Sequence, residues 1–156
     1  MFRQLICVVL LTAATGAAAA QDGKTIKVRV LNGKSGDKIT PDNVQVKFKN
    51  NGKISTSWVK QDDDGTSEVN IPPGATSMSL KATYDSSTSY YVNCDVAKQK
   101  DKTGETWYPV ADILSAGIKT PNDCLKEKDA DKLDVDVKPG ELVVFVRKKS
   151  WRETQD

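Results

Sequence analysis

The architecture follows from one segment, Val44-Gln45-Val46-Lys47-Phe48-Lys49-Asn50-Asn51-Gly52-Lys53-Ile54-Ser55-Thr56-Ser57-Trp58-Val59. Its first half alternates apolar and polar residues, which is typical of a β-strand with one buried face. Asn51-Gly52 favours positive φ at both central turn positions, so we expect a tight hairpin leading into a second strand over residues 54–59. Trp58 shares the parity of Ile54, and we expect it to face the core.

The same alternation recurs on both sides of this hairpin, with turn residues between the segments. Further strands are predicted at residues 26–30, 69–71, 78–82 and 90–96. Strands this short, at regular spacing and around one core, favour two packed antiparallel sheets. The chain is therefore predicted to be mainly β, an antiparallel β-sandwich with seven to nine strands.

The C-terminal part carries one helix and a different kind of strand. Pro109 suits a helix start, Val110, Ile113 and Leu114 form an apolar stripe, and Gly117 is placed to act as a left-handed C-cap. Residues 133–137 alternate as a strand would, and Pro139-Gly140 favours a type II turn. Residues 142–146 are apolar without alternation, which predicts a strand covered on one face by the sheet core and on the other by the helix.

The first twenty residues indicate export. Arg3 precedes an apolar run over residues 5–11, and Ala18-Ala19-Ala20 before Gln21 is typical of a signal-peptidase site. We therefore predict a signal peptide at 1–20, with cleavage between Ala20 and Gln21, and a periplasmic or extracellular product. The apolar run is too short to span a bilayer. A single β-sandwich domain is expected at 21–147, followed by a flexible basic tail at 148–156.

Cysteine usage fits an oxidising compartment. Of the three cysteines, Cys7 lies in the predicted signal peptide, where lipidation is an alternative interpretation. Cys94 and Cys124 remain, and we expect them to form a disulfide that pins the helix-bearing insertion to the sheet. The strand pattern places Cys94 on the core side with Tyr90, Val92 and Val96, while Tyr91 and Asn93 point outward.

Composition removes several classes of function. The chain contains no histidine, which excludes Ser–His and Cys–His nucleophiles and histidine-ligated metal sites. Its near-neutral net charge of +2 disfavours nucleic-acid binding. Ser35 and Ser57 each begin a Ser-x-x-Lys motif, but neither has the helical context that penicillin-interacting enzymes require. We expect no enzyme activity, no cofactor and no metal site.

Two further features have alternative interpretations. Asp62, Asp63 and Asp64 before Gly65 are typical of a solvated hairpin turn, although carboxylate oxygens in one loop could also bind calcium. Tyr91, Trp107 and Tyr108 are the candidate ligand-binding rings, because exposed aromatic rings stack on sugars.

Part of the chain resembles the carboxypeptidase regulatory-like, or transthyretin-like, domains of bacterial envelope proteins. The residues that carry the resemblance are Ile26-Lys27-Val28-Arg29-Val30, Gly33 and Gly36, the strand 44–48, the acidic turn 62–65 and the exit Ile71-Pro72-Pro73-Gly74. The segment around Trp107-Tyr108-Pro109 and Cys124, together with 139–147, is similar to small exported bacterial proteins.

The resemblance implies a sandwich of the transthyretin-like or Ig-like kind and a non-catalytic module. The function predicted is therefore that of a protein-interaction or structural component of the cell envelope. Its partner would be an envelope protein bound through a sheet edge or the disulfide-linked insertion. The alternative is a carbohydrate-binding module with a polysaccharide as its partner.

Overall fold

The computed structural model describes residues 23–41, 43–83, 91–96, 105–125 and 133–154. The predicted signal peptide with its cleavage site, and the predicted orientation of Tyr90, lie outside these residues. Within them the chain is mainly β, with two sheets, one short α-helix and a Cys94–Cys124 disulfide. The predicted β-sandwich is confirmed.

The described part of the chain contains nine strands and one α-helix, in the following order. They are β1 (Thr25–Asn32), β2 (Asn43–Asn50), β3 (Lys53–Lys60), β4 (Thr66–Asn70), β5 (Ser77–Thr83), β6 (Tyr91–Asn93), β7 (Tyr108–Pro109), α1 (Val110–Ser115), β8 (Ile118–Lys119) and β9 (Glu141–Lys148). Short 3-10 helices occupy Cys94–Val96 and Trp151–Thr154.

The strands divide into two sheets, which we call sheet A and sheet B. Sheet A has the order β4-β1-β9-β6, with β8 beside β9 on the same side as β6. Sheet B has the order β3-β2-β5-β7. Neighbours are antiparallel except that β9 runs parallel to β1 and to β8. The last long strand therefore enters the middle of sheet A beside the first, a pairing that strand periodicity does not reveal.

The main core lies between the two sheets. Sheet A contributes alternate residues of β1 and β9, and sheet B contributes alternate residues of β2 and β5. The largest fully buried members are Phe48, Ile26, Met78, Ile113 and Leu142. Val110 and Ile113 of α1 belong to this core, and Leu114 packs against it, so the predicted apolar stripe of the helix is confirmed.

A second hydrophobic cluster covers the outer face of sheet A. Its buried members are Leu31, Cys94, Val143 and Phe145, and Cys124, Val135 and Val137 pack against it. Strand β9 is thus buried on both faces, as its continuous apolar sequence predicts. The cover on the outer face is the disulfide and the 133–137 segment. The prediction that α1 covers this outer face is wrong, because the helix packs into the main core instead.

The predicted faces of β6 are reversed. Asn93 pairs with Val146, a main-core residue, so Tyr91 and Asn93 share the inner face of sheet A. Tyr91 packs against the main core, and the Asn93 side-chain amide donates to the Leu80 carbonyl of sheet B at 2.5 Å. Cys94 is buried, but in the outer cluster. The alternation of side chains shows which residues of a strand share a face. It does not show which of two covered faces is turned toward the other sheet.

Two C-terminal segments also differ from expectation. Residues 133–137 form no strand; Val135 and Val137 pack inward, whereas Asp134 and Asp136 are exposed. The tail is folded back as far as Thr154, because the Arg147 guanidinium donates to both Glu153 carboxylate oxygens at 2.8 and 2.7 Å. The hydrogen bond to Glu153 raises the pKa of Arg147, and burial of the guanidinium acts more weakly in the opposite direction.

The predicted turns are confirmed. Asn51 and Gly52 have φ of 46° and 79°, as a two-residue hairpin with a type I′ turn requires. Gly117 ends α1 with φ of 77° and donates its N–H to the Ile113 carbonyl at 3.0 Å. At Gly140, φ is 81°, and the Glu141 N–H donates to the Lys138 carbonyl at 3.0 Å, which closes the turn.

Candidate interaction surface

Strand β3 forms the open edge of sheet B. It pairs with β2 residue for residue, from Asn43 with Lys60 to Asn50 with Lys53, and it has no described neighbour on its other side. Val59 is the one residue of the strand that packs against the main core. Ile54 and Trp58 are 55% and 48% exposed. The prediction that Trp58 faces the core is wrong.

Both faces of β3 are open to solvent. Ile54, Thr56 and Trp58 share the outer face of sheet B with the polar side chains of β2, because Trp58 pairs with Gln45. Ser55 and Ser57 lie on the inner side and are nevertheless exposed, so the strand extends past the main core. A signal for this was present in the sequence. Serine and threonine occupy both parities between Ile54 and Trp58, which is unusual for a strand with a buried face.

The hairpin geometry determines which backbone groups face the open edge. In a two-residue type I′ hairpin, the residues that flank the loop form a hydrogen-bonded pair, here Asn50 and Lys53. Hydrogen-bonded and non-hydrogen-bonded positions alternate along an antiparallel pair. Ile54, Thr56 and Trp58 therefore direct their N–H and C=O groups away from β2. The N–H and C=O groups of these three residues face the open edge, where no described strand pairs with them. Ile54 and Trp58 also carry the most exposed apolar side chains of the strand.

The strands around this edge carry charge of one sign. Strands β2, β3 and β5 contain five lysines and no acidic residue: Lys47, Lys49, Lys53, Lys60 and Lys81. Two of them interact within the molecule. Lys47 forms an ion pair with Glu105, and the Lys49 ammonium lies 4.9 Å from the centroid of the Trp107 ring. No described carboxylate pairs with Lys53, Lys60 or Lys81. The open edge is therefore flanked by lysines at both ends.

The three predicted ligand-binding rings do not converge on one surface. Tyr91 and Tyr108 are half-buried and pack against the main core. Tyr108 donates its hydroxyl to Asp95 at 2.6 Å, and burial together with this contact raises the pKa of Tyr108. Trp107 is also half-buried and lies on the Lys49 side of sheet B. The Trp58 ring, which the strand pattern predicts to face the core, is more exposed than any of these three.

The disulfide lies on the opposite side of the sandwich, in the outer cluster of sheet A. Cys94 and Cys124 are bonded as predicted, with Cα atoms 5.1 Å apart. Asn122 donates its side-chain amide to the Gly33 carbonyl at 2.7 Å, and Gly33 donates its N–H to Val146 at 2.8 Å. A Cβ on Gly33 would lie 2.4 Å from the Cys94 sulfur. This region is closely packed and holds the insertion on the sheet.

The acidic residues 62–64 form part of the turn that joins the two sheets. Gly65 donates its N–H to Asp62 at 2.9 Å, and Gln61 donates to Gly65 at 2.6 Å. The Asp64 carboxylate accepts hydrogen bonds from the Thr66 hydroxyl and N–H at 2.5 and 3.0 Å. Both hydrogen bonds lower the pKa of Asp64, and the bond from the hydroxyl has the larger effect. Among the described residues no group of three or more histidine, cysteine or acidic side chains is placed to hold a metal ion.

One Ser-x-x-Lys motif lies within a strand. Ser57 lies in the middle of β3, whereas a Ser-x-x-Lys nucleophile requires a helix start. No helix in the described residues is both long enough and apolar enough to cross a membrane.

Comparison with known proteins found no match to this chain among family models, curated proteins or solved structures.

Proposed function

We propose that this protein is a non-enzymatic exported β-sandwich module that binds another protein of the bacterial cell envelope through the open edge of β3. The observation that carries the proposal is that β3 is eight residues long and exposed over almost its whole length. Paired strands gain stability chiefly by covering side chains, and β3 covers very little within its own domain. A strand from a partner would cover it.

The edge lacks most of the features that protect sheet edges. Natural edge strands are commonly short, bulged or covered, or they carry proline or an inward-pointing charge. Strand β3 pairs with β2 without a bulge, contains no proline and has lysine only at its two ends. An edge of this kind supports binding by strand addition, in which main-chain hydrogen bonds provide affinity and alternate side chains provide specificity.

Several observations support the other parts of the proposal. The absence of histidine from the sequence favours a binding role over catalysis. The signal-like segment 1–20 favours export, and the two-sheet architecture is compatible with the resemblance to carboxypeptidase regulatory-like domains. Carbohydrate binding by Tyr91, Trp107 and Tyr108 is less well supported, because two of these rings pack against the main core.

Site-specific photo-crosslinking in the source organism tests the proposal. A photoreactive phenylalanine analogue replaces Trp58 in one variant and Glu68, an exposed residue of β4 in sheet A, in the control. We expect a discrete protein adduct from position 58 and none from position 68. A second variant with Thr56→Pro should lose the adduct, because proline blocks the outward N–H. Equal adducts from both positions, or adducts with polysaccharide alone, would contradict the proposal.

A further inference from the structure

We infer that the partner segment that binds β3 is an extended, acidic peptide strand, with carboxylates opposite Lys53 and Lys60 and apolar residues opposite Ile54 and Trp58. This inference rests on the proposed function, and it adds the chemistry of the partner. The strands of sheet B carry five lysines and no acidic residue, and Lys53 and Lys60 pair with no described carboxylate, so the two ends of β3 offer positive charge that an acidic strand would complement.

The positions of the lysines specify where the acids belong. Lys53 and Lys60 occupy the two ends of β3, and both are exposed. Directly opposed residues of neighbouring strands share a face and lie close together, so each lysine meets the partner residue across from it. Opposite charges at such positions stabilise a strand pair, whereas like charges destabilise it. An eight-residue partner strand therefore requires an acid at each end.

The middle of the edge requires a different chemistry. Ile54 and Trp58 project from the outer face with Thr56 between them, and all three direct backbone groups to the open edge. An antiparallel partner places its third, fifth and seventh residues opposite Trp58, Thr56 and Ile54. Apolar residues at these positions would cover the exposed Ile and Trp side chains, while their N–H groups bond to β3.

The same charges argue against a second copy of this chain as the occupant. Antiparallel pairing of two β3 strands centred on Thr56 would bring Ile54 opposite Trp58, which is favourable in itself. It would also join two sheets that each carry five lysines and no acid. Lysines on an edge strand are a known device against such edge-to-edge association. We therefore assign the edge to an acidic partner.

Three synthetic peptides test the inference. All have eight blocked residues and an alternating Thr-Val core, with valine at positions three, five and seven, and they differ only in their end residues, which are both Glu, both Gln or both Lys. Opposite charges at directly opposed positions stabilise a strand pair, so at low salt the Glu peptide should bind the mature protein about fivefold more tightly than the Gln peptide. The Lys peptide should bind most weakly. Fluorescence anisotropy measures all three, and about 0.5 M NaCl should remove most of the difference.

A charge-reversed protein provides the matched control. In the Lys53→Glu/Lys60→Glu variant the preference should invert, so that the Lys peptide binds most tightly. N-methylation of the fifth peptide residue should abolish binding, since that N–H faces β3, whereas N-methylation of the fourth residue should leave binding unchanged.

The outcomes separate the inference from the proposed function. Equal binding of the Glu and Gln peptides, with loss on N-methylation of the fifth residue, would overturn the acidic partner and leave strand addition at β3 intact. Binding of no peptide, together with adducts from position 68 as strong as those from position 58, would overturn both. A dimer in sedimentation that Thr56→Pro returns to a monomer, and that the Glu peptide does not dissociate, would assign the edge to a second copy and overturn the inference.

Discussion

Strands β9 and β3 lie at opposite extremes of this molecule. Strand β9 is in the middle of sheet A. The main core buries one of its faces, and the second hydrophobic cluster, which contains the disulfide, buries the other. Strand β3 is at the edge of sheet B, and almost every residue in it is exposed. Both are eight-residue strands with a large aromatic residue. The comparison shows that a strand in the middle of a sheet contributes much of the buried core, whereas a strand at the edge contributes little of it.

The largest expected difference comes from truncating the aromatic residue in each strand. Phe145 is 2% exposed and Trp58 is 48% exposed. Phe145→Ala should lower the free energy of unfolding by about 3–5 kcal/mol, because it empties a packed cluster. Trp58→Ala should change it by less than about 0.5 kcal/mol. Urea denaturation of both variants measures the contrast, and similar losses would show that β3 is buried in solution.

Removing the disulfide should have the next largest effect. Cys94 and Cys124 are separated by 30 residues. The Cys94→Ala/Cys124→Ala variant should lose about 3–4 kcal/mol of stability, chiefly because the unfolded chain gains freedom. Thermal unfolding at fixed pH measures the loss. Binding at β3, on the other side of the sandwich, should survive at temperatures where the variant is folded, and its loss there would mean that the two regions are coupled.

A smaller effect is expected at Gly33, which touches the disulfide. Gly33→Ala places a Cβ 2.4 Å from the Cys94 sulfur, an atom that the bond to Cys124 prevents from moving aside. The overpacking should cost about 1–3 kcal/mol. The Cys94→Ala/Cys124→Ala background removes the contact with the sulfur but keeps those with the Asn122 side-chain oxygen at 2.7 Å and the Cβ of residue 124 at 3.0 Å, so part of this cost should disappear. A double-mutant cycle measures the coupling. An unchanged cost there would show that the clash is with Asn122 or the Cβ of residue 124 and not with the sulfur.

The smallest expected effect is the pH dependence of the turn between the sheets. The Thr66 hydroxyl and N–H hold the pKa of Asp64 below its ordinary value of 3.8. Ionised Asp64 therefore stabilises the folded state above that pH, and the contribution is lost as pH falls through the lowered pKa. Thr66→Val should move the pKa back towards 3.8, which an NMR titration of the carboxylate detects. An unchanged pKa would show that the hydroxyl does not bond to Asp64.

The turns and the alternation of most strands could be predicted because their causes are local. Asn51-Gly52 adopts positive φ whatever packs around it, and Gly117 ends α1 for the same steric reason. The pairing of Cys94 with Cys124 followed from their being the two cysteines outside the predicted signal peptide. The unbroken apolar run of β9 indicated cover on both faces, since a solvated face would need polar side chains.

The candidate site could be predicted only in part. The sequence predicts a strand over residues 54–59, and the parity that Trp58 shares with Ile54 predicts that Trp58 faces the core. Shared parity predicts burial only when one face of the strand is covered. Strand β3 extends past the main core, and of its side chains only that of Val59 packs against this core. The opposite difference holds for Tyr91 and Tyr108. The sequence predicts exposed rings at these positions, but both pack against the main core.

Local chemistry thus determined where the chain turns, which residues share a face of each strand and which two cysteines bond. The packing of the two sheets decided which face is buried, that β9 enters sheet A parallel to β1, and that β3 remains at an open edge. The physical reason is that φ preferences and side-chain alternation act within a few residues. Burial depends on which distant segment covers a surface, and the covering segment is brought there by the fold as a whole.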